Sequence, residues 1–324
     1  MQEKERRRNR FNLFLHDSGI VLLMTLGVLV LLSVIAMNFS FSTRLGSAST
    51  RNFKDETKAY YLAMSGYHEA LGILRSDKDT KVDFLDEEGN LYLDSETMIG
   101  HTKQVTDEAE LEIKITDEGS KININSAAND RLERLFNYIG MPADEQLEVI
   151  DCILDWKDSG DNDAHRLNGA EKDYYEDLTP PYTAKNSNFD IIEELMLVKG
   201  FKSEYLYGSE KNKSMYDLIT TFGDSIININ TASREVMEII GINEIDIDTI
   251  FAQRTKEFGG VKNIPIGIPS VRTASYNFRV EVTAKMKESN QIVKIVSVVK
   301  RVPSLKDFDI KTVYWRESIE SSRS

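Results

Sequence analysis

The stretch IVLLMTLGVLVLLSVIAM, residues 20–37, runs 18 positions without a charge. As a helix rising about 1.5 Å per residue it matches the hydrocarbon thickness of a bilayer, so one membrane span is expected there. Upstream lie Lys4, Arg6, Arg7, Arg8 and Arg10, a basic flank that stays cytoplasmic and sends everything after Met37 across the membrane. A cleaved secretory signal has a shorter apolar core of about 7 to 15 residues ending at a small-x-small site. Residues 42–46 (STRLG) make only a weak site of that kind. The helical pattern also continues beyond the membrane. No proline precedes Pro142, and Phe53, Tyr60, Ala63, Tyr67, Ala70 and Leu74 recur at helical spacing, the seam of an amphipathic helix. One helix over residues 20–75 is the expectation, its first half among lipids or other helices and its second half packed on a soluble domain.

The rest of the chain has the composition of one large or two medium folded domains: 324 residues, 41% hydrophobic, 29% charged, with 18 Gly and 6 Pro. That excludes a disordered tail and a polytopic membrane protein. The net charge of -13 argues against general affinity for phosphate backbones. The single cysteine, Cys152, can form no internal disulfide and reads as a small buried apolar residue.

Residues 110–115 (ELEIKI) alternate like a strand and lead into KININSAANDRLERLF, residues 121–136. A second copy, SIININTASREVMEIIG, occupies residues 225–241. Ile122, Asn123, Ile124, Asn125 and Ala127 recur as Ile227, Asn228, Ile229, Asn230 and Ala232, an internal repeat. In each copy an extended piece feeds an Asn-x-Ser/Thr or Asn-Thr start whose side-chain oxygens are expected to cap the following helix. A third helix is expected over residues 189–201, burying Ile192, Leu195, Met196 and Val198 and stopping at Gly200. Residues 126–270 thus read as an all-helical module. Residues 275–286 and 291–302 alternate apolar and polar positions across a Lys-Glu-Ser-Asn turn, an antiparallel hairpin. With residues 110–115 they form one sheet under the long helix, making the helical module an insertion between strands of an α+β domain. The expected organisation is a leader over 1–19, the helix over 20–75, an α+β domain from 76–125 and 271–324, and the insert over 126–270.

Residues 149–182 concentrate carboxylates: Asp155, Asp158, Asp161, Asp163, Glu171, Asp173, Glu176 and Asp177. So many in one loop repel unless a cation neutralises them, and oxygen-only ligands suit Ca²⁺. The expected ligands are Asp155, Asp158, Asp161, Asp163, Glu171 and Asp173. The spacing is not that of an EF-hand, since counting from Asp161 puts His165 and Lys172 where oxygen ligands belong. A solvated acidic surface accounts for the bare composition equally well. An enzyme is not indicated: no Gly-x-Ser-x-Gly, phosphate-binding Gly-rich loop or His-Glu-x-x-His occurs, and His16, His68, His101 and His165 are scattered.

A basic leader ending in Gly19, followed at once by a membrane helix that continues into a globular domain, resembles the type IV pilin and pseudopilin class. The resemblance implies cleavage by a prepilin peptidase between Gly19 and Ile20. Members of the class usually carry a glutamate at the fifth mature position, paired with a neighbour's terminal amine. Here that position is Met24, which fits a subunit with no neighbour beyond it. Gly27, Ser33 and Ala36 are small or polar positions at which partner helices can approach closely.

The run DWKDSGDNDAHRLNGAEKDYYEDLTPPY, residues 155–182, the two INxN-Ser/Thr-Ala motifs and the terminal VYWRES, residues 313–318, resemble the general secretion pathway protein K family of type II secretion. That family implies a pilin-like α+β fold with a large helical, calcium-binding insertion. It implies a minor pseudopilin at the tip of a pseudopilus, anchored in the bacterial inner membrane with its carboxyl-terminal domain in the periplasm. Its partners would be two other minor pseudopilins and the inner-membrane assembly platform, with no nucleic acid. The rival reading is a membrane-anchored DNA receptor, because INxNTA followed by a helix and glycine also resembles helix-hairpin-helix modules. Against it, Gly241-Ile242-Asn243 lacks the second glycine, and residues 121–260 hold 14 Lys and Arg against 27 Asp and Glu.

Overall fold

The computed structural model describes residues 2–77, 80–93, 97–99, 101–159, 166–255, 257–265, 267–268, 270–303 and 308–321, with side chains from residue 19 onward. In chain order the elements are helix α1 (Gln2–Arg75) and strands β1 (Phe84–Leu85), β2 (Leu91–Tyr92), β3 (Met98–Ile99), β4 (His101–Val105), β5 (Ala109–Asp117) and β6 (Ile122–Asn123). Helices α2 (Asn129–Ile139), α3 (Ala143–Lys157), α4 (Lys172–Glu176) and α5 (Ser203–Tyr207) follow. Next come β7 (Ile219–Thr220), β8 (Ile227–Asn228), α6 (Arg234–Ile239), α7 (Glu244–Gln253) and β9 (Val271–Arg272). The chain closes with β10 (Asn277–Met286), β11 (Gln291–Pro303) and β12 (Phe308–Ser321).

Two units divide the chain, Met1–Lys58 and Ala59–Ser324. In the first, α1 exposes its large apolar side chains from Ile20 to Leu45. Thr25, Ser33 and Thr43 turn their hydroxyls back onto the carbonyls of Leu22, Leu29 and Phe39, which satisfies them inside the helix. Phe53, expected in the packed seam, is 71% exposed. The buried seam begins only at Ala59, where the second unit starts.

In that second unit Ala59, Ala63, Tyr67, Ala70 and Leu74 are buried against a five-stranded antiparallel sheet of order β12-β11-β10-β5-β4. Alternation in β5 and β10 sends Leu111, Ile113, Ile115, Phe278, Val280 and Val282 to the buried face. The helix comes so close that a Cβ on Gly66 would lie 2.9 Å from Val282 Cγ1 and 3.0 Å from Leu111 Cδ1. The hairpin between β10 and β11 turns through residues 287–290, with Asn290 at φ 53°. The expected α+β fold, a long helix on an antiparallel sheet with a helical insertion between strands, is the one found.

The insertion leaves after β5 and returns before β10, and it has its own core running from Ile122 to Val261. It is not purely helical. The first strand of each repeat copy pairs in parallel with a later segment, β6 with β7 and β8 with β9. The expected caps also differ. Asn123 Oδ1 accepts from the amide of Asn125 (2.9 Å) and Asn228 Oδ1 from that of Asn230 (3.0 Å), closing tight turns. The helix caps fall later, at Ala128 without a side-chain bond and at Ser233, which accepts from Val236 N. Residues Ile192–Leu197 form a 3-10 helix with Leu195 buried and Met196 44% exposed, a correction to the expected buried set. Gly200 does stop the segment, at φ 77°.

The repeat extends past the matched letters. Copy one continues through α2, Gly140 (φ 81°), Met141 and α3, and copy two through α6, Gly241 (φ 90°), Ile242 and α7. The amides of Met141 and Ile242 reach back to Phe136 O (2.9 Å) and Met237 O (3.0 Å), the same left-handed helix stop twice. Copy two arrives at its glycine four residues sooner, about one helical turn, which preserves the buried face.

Candidate functional site

Helix α3 ends in the acidic segment. Asp151, Asp155 and Asp158 follow one another at helical spacing, and Asp155 is buried. The chain comes back at Arg166, whose guanidinium bonds Asp155 Oδ1 and, at 3.0 Å, Asp158 Oδ2. Arg166 N donates to Asp155 Oδ2 at 3.3 Å, and Asn168 Nδ2 donates to Asp151 Oδ2 at 3.0 Å. Gly169 lies against Asp155 so closely that a Cβ would fall 1.6 Å from Oδ2. Carboxylate oxygens of Asp155, Asp158 and Glu171 come within 4.8 Å of one another.

Half of the expected ligand set is thereby brought together. Asp173 lies in the first turn of α4, outside the cluster, and Asp161 and Asp163 fall outside the described residues, as does His165. Three carboxylates against one guanidinium leave net negative charge around an all-oxygen donor set, which fits a hard cation such as Ca²⁺. Sequence reasoning gave Arg166, Asn168 and Gly169 no part in holding these carboxylates. The signal was the Asn-Gly pair inside the acidic run.

Aromatic rings pack on Trp156, the residue that follows Asp155. Trp156 meets Tyr175 edge to face at 5.1 Å and stacks on Phe189 at 6.3 Å, and Tyr175 Oη accepts from Lys199 N at 3.3 Å. Burial raises the Tyr175 hydroxyl above its usual range and pushes the Cys152 thiol up to about 12. Cys152 is fully buried and stays a protonated core residue.

The two helix-hairpin-helix units do not form a phosphate site. The first turn of α3 carries Asp144 and Glu145, and that of α7 carries Glu244 and Asp246. Asn243 Oδ1 already occupies the amide of Asp246 at 2.9 Å. Carboxylates stand where an incoming phosphate would need positive charge.

One helix among the described residues, over Gly19–Arg75, is long and apolar enough to cross a membrane. Gly19 and Gly27 have open space where a Cβ would stand. Ile20 is 52% exposed, and Ser33 and Ala36 also lie on exposed helix surface.

Residues 110–207 match the family model described as type II secretion system (T2SS), protein K. A type II secretion system protein K from Pseudomonas aeruginosa is 24% identical over 68% of this chain and 67% of its own length. The protein of that name from Aeromonas hydrophila is 28% identical over 68% of each. Among solved structures, a chain of the GspK–GspI–GspJ complex from the enterotoxigenic Escherichia coli type 2 secretion system shares the fold. Its TM-score is 0.63 at 16% identity, over 83% of this chain and 99% of that one. The apolar span, the interrupted sheet, the twinned insert and these matches agree: the chain is similar to protein K of type II secretion systems, in sequence over residues 110–207 and in fold over most of its length.

Proposed function

We propose that this chain is the minor pseudopilin at the tip of a type II secretion pseudopilus, where it starts filament assembly and supports export of folded proteins. The observation that carries this reading is the exposure of the whole apolar span. Side chains such as Leu22, Leu23 and Met24, each at least 67% exposed, call for lipid or partner helices. Prepilin peptidase cuts after Gly19, leaving Ile20 as the mature amino terminus. The span anchors the protein once in the inner membrane, leader inside and sheet domain in the periplasm, where the assembly platform extracts it into the filament.

The solved protein K structure is of a complex with two other pseudopilins, and by that likeness the partners here are two other minor pseudopilins. Gly27, Ser33 and Ala36 give their helices close approach. Calcium held by Asp155, Asp158 and Glu171, with Asp161, Asp163 and Asp173 as further ligands, would fix the surface of the insert. No catalytic step is required. Co-expression of the full chain with the two minor pseudopilins of its own system, followed by detergent extraction, tests the reading. A ternary complex that survives size exclusion is expected, and failure to retain either partner would count against it.

A further inference from the structure

Buried charge gathers where the insert joins the sheet domain. Asp77 follows α1, Asp83 precedes β1, Asp117 ends β5 and Arg301 lies in β11, with exposures of 3%, 0%, 4% and 3%. Arg301 Nη2 donates to Asp77 Oδ2 at 2.5 Å, and Nη1 donates to Asp83 Oδ2 and to Ser275 O, both at 3.0 Å. The rings of Phe278 and Phe308 flank the guanidinium at 4.7 and 5.4 Å. Ser275, just before β10, joins two of the carboxylates. Its amide donates to Asp83 Oδ2 at 2.6 Å and its hydroxyl bonds Asp117 Oδ2.

The insert reaches the same point from its second repeat. Asn228 Nδ2 donates to Asp83 O and Asp117 Oδ2, both at 3.2 Å, and Thr231 Oγ1 donates to Asp117 Oδ2 at 2.5 Å. Gly119 N donates to Asp117 Oδ1 at 2.7 Å. Other charges nearby are engaged elsewhere. Arg272 of β9 pairs with Asp224 at 2.6 Å, and Glu118 pairs with Arg279 at 2.6 Å and Lys121 at 3.4 Å. Arg254 spends its guanidinium on the carbonyls of Ala232 and Leu85.

Among the described residues Asp83 and Asp117 therefore meet through Ser275 in a buried volume, where Arg301 bonds Asp83 and no ion pair reaches Asp117. Ionising both would bury two like charges side by side, and neutralising one carboxyl with a proton costs less. We propose that the Asp83–Asp117 pair, bridged by Ser275, holds a proton in the folded protein and acts as a pH-sensitive latch between the sheet and the insert. Burial outweighs Arg301 and the Ser275 amide and pushes Asp83 up to about 7, with the charge of Asp117 adding to the rise. The folded value lies above the unfolded value of 3.8, so the folded state holds the extra proton between the two. The stability this proton supplies is present at the acid end, is lost as pH rises toward about 7, and changes little above that.

The test uses the full chain in detergent at about pH 5 and about pH 8. The melting temperature should be higher at the acid pH. Amide exchange of the peptides holding Gly119 and Ser275 should speed up at the higher pH beyond its intrinsic rate, while central β10 and β11 stay protected. Asp83→Asn keeps an acceptor for the Ser275 amide but cannot ionise, so it should flatten the pH dependence and melt no lower than the parent at the higher pH. An ionised Asp83–Arg301 pair gives the reverse, a parent more stable at the higher pH and a weakened variant, and would overturn the latch. Should the variant not fold, infrared of the parent decides. A carboxyl C=O band protected from deuterium at about pH 6 and gone by about pH 8 supports the proposal, and its absence at the lower pH refutes it.

Discussion

Gly169 decides how the acidic cluster is built. Any side chain there would take the place of Asp155 Oδ2, so the backbone can pass over that carboxylate only as glycine. Gly169→Ala should destabilise the protein by roughly 1–3 kcal/mol through forced displacement of Asp155, read from denaturant melts. If calcium sits at this cluster, chelator should lower the melting temperature of the parent, because an ion bound only by the folded state stabilises it. The alanine variant should then lose most of that chelator response. A parent whose melt ignores chelator would remove the metal from the account. The carboxylates were legible as a group in the sequence. Their arrangement was not, since it depends on an arginine and a glycine that composition treats as bystanders.

Among elements, the repeat is held together by its asparagines. Asn125 Nδ2 donates to Phe189 O (2.9 Å) and Thr221 O (3.0 Å), and its Oδ1 accepts from Phe189 N (2.8 Å). Asn230 does the same one copy later, with Val261 O, Thr273 O and Val261 N. Asn125→Ala and Asn230→Ala should each cost about 2–4 kcal/mol, because each strands buried backbone groups, with Asn230→Ala the larger because that residue is fully buried. Equilibrium unfolding of the two variants checks both the size and the order. The letters INxN marked the repeat, but the expected capping role was wrong because Asn123 and Asn228 spend their oxygens on their own turns. Strand β4 escaped the sequence because all five of its residues are exposed, leaving no alternation to read. Strands β5, β10 and β11 were legible because one face of each is buried.

At the scale of the molecule, the chain divides into an amino-terminal unit whose apolar helix exposes its side chains and a domain with two cores of its own. The apolar run, the hairpin and the interruption of the sheet could all be read from hydrophobic period alone. What packs on the span could not, because hydrophobic period marks a surface to be buried without naming what buries it. The acidic insert argues against nucleic acid, and the exposed span argues for a life in a bundle of like helices. The second depends on the span remaining in the mature protein. The direct measurement is the intact mass and amino-terminal sequence of the protein purified from membranes of cells that hold a prepilin peptidase. The account predicts a chain that begins at Ile20 and keeps residues 20–37. A chain that begins beyond Met37 would contradict it.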